Sequence, residues 1–317
     1  MTIPAYEDAD LLPTIERALA NADVPGSIHF AIALQYKWVP TPDLSKYHDS
    51  PNFNFLSYDV DTRPGVNQVR HNLLKFYDNQ DYFMMIDSHT KFMRGWDTAL
   101  INDYKKLQNL THDRVALSRQ IGSSPGNMCT CNNKDEFCIG HDAATKWNAT
   151  FGSDYVNEVL SITGNPNQNI NIENRGKEFV WTGYACCNFF FTNSDFVKEV
   201  GILDNLSFSC EESSLSLRAF FSGWDIYSQS LTAYTEHAPQ QYNLALYGEE
   251  APKHKMYAKW SDYAHGSNEE RRNLTDLFLF NSGVYETVNK IRTPKEFYIK
   301  AGLTEYYDKL QLAMQKE

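Results

Sequence analysis

No stretch of this 317-residue chain is apolar for long enough to span a bilayer. The opening Met1-Thr2-Ile3-Pro4-Ala5-Tyr6-Glu7-Asp8 has no basic segment followed by an apolar run, as a secretory signal would. The expectation is a cytosolic protein without membrane association. Positive charge is also in short supply: 29 Lys and Arg face 40 Asp and Glu, a formal net charge of −11. Without a global positive field, non-specific binding to nucleic acid or anionic lipid is disfavoured, although a local basic groove is still permitted. Cysteine is sparse, and in a cytosolic setting the 6 Cys read as thiols or metal ligands rather than disulfides. No internal repeat and no low-complexity linker interrupts the chain, which suits one large α/β domain or one domain with an appended lobe.

What the chain does have is core-forming material. Hydrophobic content is 42%, with 19 Tyr and 19 Phe, which excludes global disorder. Thr2–Ala5 reads as a short strand. A helix follows with Pro13 as its first residue and Ile15, Ala18, Leu19 and Ala22 as the apolar stripe, until Val24-Pro25-Gly26 stops it. Strands are predicted over Ile28–Leu34 and Phe53–Tyr58. Pro64-Gly65 opens a second helix with Val66, Val69, Leu73, Leu74 and Tyr77 on one face. The buried strand Tyr82–Ile86, a helix near Trp96–Leu107 and a strand near Arg114–Leu117 complete an alternation that indicates a parallel or mixed sheet covered by helices.

Residues 121–175 turn polar, rich in Gly, Asn, Ser and Thr, and read as a loop-rich insertion. Patterning resumes with strands at Glu178–Thr182 and Asn188–Thr192, and helices at Asp195–Val200 and Ser213–Phe221. Gly223 ends the second helix, and a closing strand covers Asp225–Gln229. The division expected is a core over 1–237 carrying the 121–175 insertion, then a helical and loop segment over 238–317. Basic residues from Lys253 to Lys300 alternate there with aromatics, as a solvated helical face or a basic groove would.

Three groups of residues can carry chemistry. Asp87-Ser88-His89 ends the most apolar strand, and an extended backbone would point Asp87 and His89 to the same side. A carboxylate and an imidazole there suit Mn²⁺ or another transition metal better than Ca²⁺. The carboxyl ends of strands are also where open α/β sheets bind ligands. A strand-end Asp capping a turn, beside a polar surface His, is the simpler reading. Glu211 and Glu212 precede a helix, where the dipole favours negative charge whether or not they act on a substrate. His237 would be a third cation ligand if the chain folded it back beside Asp87 and His89. Cys129, Cys131, Cys138 and His141 have the ligand count of a structural Zn²⁺ site at an unusual spacing, and otherwise are loop thiols.

Together these segments resemble the GT-A glycosyltransferases that use nucleotide sugars, above all the cytoplasmic N-acetylglucosaminyltransferase family that modifies protein hydroxyls. The resemblance runs from Thr2-Ile3-Pro4-Ala5-Tyr6-Glu7-Asp8 through Pro25, Ile28–Gln35, Gly65, Arg70, Asp87-Ser88-His89 and Trp96-Asp97. It continues through Glu211-Glu212, Leu215, Arg218 and Gly223-Trp224-Asp225 to His237. Glu7 stands where the family has Arg, and Cys210 where it has Gly, and the match fades after His237. Mucin-type polypeptide N-acetylgalactosaminyltransferases share the D-S-H.

The resemblance implies a Rossmann-like mixed sheet flanked by helices and a retaining, metal-dependent transfer of a GlcNAc-like sugar or pentose from a UDP-sugar. Asp87, His89 and His237 would hold Mn²⁺ (or Mg²⁺) against the donor diphosphate. Pro4, Ala5 and Tyr6 would lie beside the uracil, and Arg70 would contact the nucleotide. Glu211 or Glu212 would position the sugar or acceptor, and Trp181 would wall the sugar or simply pack. The acceptor implied is a hydroxyl on protein, with 5-hydroxymethylcytosine in phage-modified DNA as the rival. A metal-dependent phosphoesterase and a non-catalytic nucleotide-sugar-binding module are the readings from other classes.

Overall fold

The computed structural model describes residues 1–62, 64–118, 145–148, 163–166, 178–204, 211–229, 235–237, 288–305 and 307–308, with the backbone alone described at 61, 145–148, 163–166, 213, 229 and 235–237. In chain order the first half runs β1 (Thr2–Tyr6), α1 (Leu11–Asn21), β2 (Phe30–Gln35), β3 (Phe53–Ser57), α2 (Val66–Leu73), β4 (Tyr82–Ile86), β5 (Thr90–Phe92), α3 (Trp96–Leu110) and β6 (Val115–Ser118). It continues β7 (Thr145–Asn148), β8 (Thr163–Pro166), β9 (Phe179–Trp181), β10 (Phe189–Asn193), α4 (Asp195–Glu199), α5 (Glu211–Phe221), β11 (Asp225–Gln229), β12 (Thr235–His237) and α6 (Pro294–Lys300).

Eight strands form one mixed sheet in the order β3-β2-β1-β4-β10-β6-β11-β9. Strands β3, β2, β1 and β4 are parallel, as are β6 and β11, whereas β10 runs antiparallel between β4 and β6 and β9 antiparallel at the β11 edge. The chain builds outward from β1 through β2 to β3, then returns to lay β4 on the other side of β1. That reversal leaves a crevice beyond the carboxyl ends of β1 and β4, the place where an open α/β sheet takes its ligand.

The apolar run of β4 follows from its central position. Met84 and Ile86 enter one core with Ile3, Ile15, Phe30 and Trp96, while Phe83 and Met85 enter another with Phe190, Phe196 and Trp224. Both faces are covered, so both alternate sets are apolar. Burial of each such side chain contributes roughly 1.5–3 kcal/mol, more than an exposed ion pair typically does, so packing sets the frame on which the polar residues are placed.

Two small sheets depart from expectation, whereas a helix stands in the C-terminal segment where helix and loop were expected. The polar insertion contains an antiparallel pair, β7 with β8, in which Trp147 opposes Gly164. The Gly and Pro of Thr163–Pro166 hide that strand from any periodicity argument. Strands β5 and β12 form a second small sheet, and three-residue strands are too short to show a period. Finally, α6 starts with a full capping box between Thr293 and Glu296 and buries Phe297 and Tyr298 against Phe220 and Phe221 of α5.

Candidate functional site

Asp87, Ser88 and His89 do not continue β4. The strand ends at Ile86, and the three residues make a turn before β5, closed by the Thr90 hydroxyl donating to the Asp87 carbonyl at 2.9 Å. The two candidate ligands therefore approach through a turn and not by strand alternation. His89 Nε2 lies 3.9 Å from Asp87 Oδ2. The turn is tied to α1 through Thr14, whose hydroxyl donates to the Ser88 carbonyl at 2.8 Å and accepts from the Thr90 N–H at 3.0 Å.

Asp8, just past β1, is the partner that reasoning from the sequence missed. Its Oδ2 accepts from the Ser88 hydroxyl at 2.6 Å and meets His89 Nδ1 at 2.8 Å, while Oδ1 accepts from the Asp10 N–H at 2.9 Å. Burial acts to raise the Asp8 carboxyl, but the bonds from His89 and Ser88 win and hold it below the usual carboxylate range. For His89, burial acts to lower the imidazole, and the Asp8 bond with the charges of Asp87 and Asp8 raises it instead.

The backbone reaches Asp8 through Glu7, a non-glycine residue at φ 49°. That left-handed conformation costs an L-residue roughly 1–2 kcal/mol. The Glu7 carboxylate offsets the cost by accepting from three successive N–H groups, Lys37 at 2.8 Å, Trp38 at 3.2 Å and Val39 at 2.8 Å. The acid at the position where the resembling family has Arg thus anchors the loop after β2. Tyr36 closes the same knot, its hydroxyl donating to the Asp8 carbonyl at 2.6 Å.

Across the crevice, α5 presents Glu211 and Glu212, and the structure separates their environments. Glu211 is 5% exposed, and its Oε1 lies 2.6 Å from Nε of Arg70, itself 2% exposed. That contact is an ion pair without hydrogen-bond geometry. Arg70 Nη2 meets Asp87 Oδ1 at 3.3 Å, so one buried guanidinium links the β4 turn to α5. Its described partners are carboxylates. Burial raises the Glu211 carboxyl, against the pull of Arg70.

Glu212 is half-buried, with the Tyr184 hydroxyl donating to Oε2 at 2.7 Å and the Cys187 N–H to Oε1 at 3.1 Å. Burial pushes it up to about 7, although the Tyr184 and Cys187 bonds act to lower it. Tyr184 is the second residue the sequence did not disclose.

The other expected residues divide. On β1, Pro4 and Tyr6 are partly exposed, whereas Ala5 is fully buried in the core, where its side chain is out of a nucleotide's reach. Trp181 lies on β9, four strand spacings from β4, roughly 19 Å at about 4.8 Å each. Its indole donates to Asp225 Oδ1 at 2.7 Å, lies under the Lys300 ammonium at 4.8 Å and packs on Gly183. That is a packing role and not a wall for a sugar at β4.

The Trp-Asp and Gly-Trp-Asp pairs are also braces. Trp96 donates to the Ala18 carbonyl at 2.9 Å, and Asp97 accepts from the N–H groups of Asp23 and Val24 at 2.9 Å each. Asp225 accepts from Arg292, Lys300 and Trp181 and pairs with His112, which anchors α6 to the sheet.

Antiparallel pairing sets His237 of β12 opposite Thr90 of β5, the residue after His89. The register brings its backbone within about 4.5–5.5 Å of Thr90 from nearly 150 positions away in the chain. Cys129, Cys131, Cys138 and His141 lie outside the described residues.

The donor set fits a divalent cation. Two bonds of roughly 2.1 Å can span the 3.9 Å between His89 Nε2 and Asp87 Oδ2, and one carboxylate with one imidazole is a Mn²⁺-compatible pair. Among the residues whose side chains are described, no group of three His, Cys, Asp or Glu converges on a cation position, so a third protein ligand would have to come from a side chain outside them.

The comparisons with known proteins agree with this architecture. The family model for glycosyltransferase (GlcNAc) matches residues 49–275, more than half of the chain. No curated protein sequence matches. Among solved structures, GalNAc-T7 with UDP, GalNAc and Mn²⁺ superposes with a TM-score of 0.52 at 11% identity, over 75% of this chain and 43% of that one. S. aureus TarS 1-349 in complex with UDP-GlcNAc aligns at a TM-score of 0.42 and 14% identity, over 75% of this chain and 57% of that one. The chain thus spans less than two thirds of either structure. The eight-stranded mixed sheet flanked by helices is the GT-A architecture, no described helix is long and apolar enough to cross a membrane, and the chain belongs to the glycosyltransferase (GlcNAc) family.

Proposed function

We propose that the protein is a divalent-cation-assisted glycosyltransferase that moves a sugar from a UDP-sugar to a hydroxyl acceptor. The observation that carries this reading is the Asp87–Ser88–His89 turn at the switch of the sheet, linked through Arg70 to the glutamate pair of α5. GalNAc-T7, similar in fold, was crystallised with UDP, GalNAc and Mn²⁺, ligands of the classes this site would take.

Asp87 and His89, with His237 as third ligand, would hold the cation, which when bound neutralises charge on the departing diphosphate. The partly exposed Pro4 and Tyr6 at the end of β1 would border the uracil. Arg70 keeps Asp87 and Glu211 in fixed relation and so sets the distance between donor and acceptor halves of the site. Glu211, sealed against Arg70, is a positioning residue. Glu212, half-buried and aimed by Tyr184, is the carboxylate that would accept a hydrogen bond from the sugar or the incoming hydroxyl. Transfer is proposed to retain the anomeric configuration, with a diphosphate oxygen taking the acceptor proton, and a protein side-chain hydroxyl is the acceptor put first.

The test is UDP release from a panel of UDP-hexoses and UDP-pentoses with Mn²⁺, in the presence of hydroxyl-bearing peptides or of hydroxymethylcytosine DNA. Mass spectrometry of the acceptor and NMR of the new anomeric centre complete it. Release that depends on a peptide supports the proposal, and release that depends on the DNA would change the acceptor. Phosphate or UDP release indifferent to any acceptor would replace it with a phosphoesterase. No turnover with any donor would leave a binding module.

A further inference from the structure

We infer that Asp8 is a positioning residue that sets the tautomer and orientation of His89, so that Nε2 and not Nδ1 is the ring nitrogen offered to a cation beside Asp87. The inference rests on the proposed cation site and goes beyond it to a residue in the loop just past β1.

An ionised carboxylate can only accept hydrogen bonds. With Asp8 Oδ2 2.8 Å from His89 Nδ1, a neutral imidazole must carry its proton on Nδ1, which leaves the lone pair on Nε2. Nε2 is the nitrogen on the Asp87 side, at 3.9 Å. Asp8 is itself held from every direction the structure describes. The Ser88 hydroxyl and the Asp10 N–H both donate to its carboxylate, and the Tyr36 hydroxyl donates to its carbonyl. Glu7, fixed at φ 49° by the Lys37–Val39 amides, makes the bend that turns Asp8 toward the β4 loop. Ser88, the middle residue of the D-S-H, thereby has a defined part: it is a donor to the carboxylate that aims the His next to it. A carboxylate behind a ligating imidazole raises ligand basicity and removes rotational freedom, and losing such a partner typically costs 10–100-fold in metal affinity.

Asp8→Asn makes the test sharp, because donors lie on both sides of this carboxylate and an amide can accept on one side only. Either the Asp10 N–H loses its acceptor, or the amide NH₂ faces His89 and forces the proton to Nε2. Long-range ¹H–¹⁵N NMR of histidine-labelled, metal-free protein, at a pH where the ring is neutral, should show His89 as the Nδ1–H tautomer. In Asp8→Asn it should be mixed or Nε2–H. Mn²⁺ alone, titrated by EPR, should bind the variant roughly 10–100-fold more weakly, with far-UV circular dichroism unchanged. An Nε2–H tautomer in the unaltered protein overturns the inference even if the variant fails to fold. So does Mn²⁺ binding by a folded variant within about twofold of the unaltered protein. If the unaltered protein binds no Mn²⁺ at all, the cation site of the proposed function fails first and this inference falls with it.

Discussion

Replacing Arg70 by Met tests whether the two halves of the site are held by one buried charge. Arg70 is 2% exposed and sits against Glu211, 5% exposed, at 2.6 Å. Methionine removes the guanidinium but keeps much of the apolar stem, so the loss is mainly electrostatic. Glu211 is left as a buried carboxylate with no cation against it, and breaking a buried pair in this way costs about 3–5 kcal/mol. Part of that is recovered if Glu211 takes up a proton, a shift its burial already favours. Glu211→Gln alone should cost somewhat less, because Asp87 still faces the guanidinium at 3.3 Å.

The double variant removes both charges and should recover about 2 kcal/mol or more relative to the sum of the single changes. Its UDP release should stay at least about tenfold below the unaltered protein, since Asp87 and α5 are no longer tied together. Urea unfolding followed by tryptophan fluorescence measures the first quantity and coupled UDP detection the second. A loss of less than about 1 kcal/mol in Arg70→Met, or a double variant no more stable than the sum of the single losses predicts, would refute one buried charge as the link between the two halves.

Three further outcomes are expected. Asp225 is held down to about 2 by Lys300, Arg292 and His112, although its burial acts to raise it. Its folded value lies below the unfolded one, so this stabilisation, about 2 kcal/mol, is complete above roughly pH 4 and lost as pH falls toward 2. Acid unfolding followed by circular dichroism should lose that pH-dependent increment in Asp225→Asn. Glu212, raised to about 7, binds its proton more tightly folded than unfolded. Stability from this group is therefore present at low pH and lost as pH rises from about 4.5 to 7, while any turnover that needs the carboxylate grows over the upper part of that range. Tyr184→Phe removes a donor to the ionised form and should move that activity limb up by about 1 pH unit, and a limb that does not move would detach Tyr184 from the site. His237→Ala should weaken Mn²⁺ binding at least about tenfold in a direct titration and leave thermal stability without metal nearly unchanged. Unaltered Mn²⁺ affinity would exclude it as a ligand.

The alternation of elements up to β6, the three-residue β5 apart, was legible because apolar periodicity is a local property. β4 could be recognised as a covered central strand from Phe83–Ile86 alone, because a strand packed on both faces has no polar alternation to preserve. Asp87, His89, Glu211 and Glu212 could likewise be picked out, since each stands at the end of a recognisable element. The geometry that joins them could not. Asp8 meets His89 across more than eighty residues, Arg70 meets Glu211 across more than a hundred and forty, and His237 pairs beside His89 through strands of three residues.

Sequence by itself therefore determined which residue types stand at the carboxyl edge of the sheet, the edge at which open α/β sheets take their ligands. Tertiary structure alone decided that Arg70 is buried between two carboxylates, that Trp181 packs far from the crevice under Lys300, and that Asp8 stands behind His89. The physical reason is range. Burial patterns repeat every two or nearly four residues and can be read within one element, whereas an ion pair or an oriented imidazole depends on two distant segments that only the packed core brings within 3 Å or so of each other.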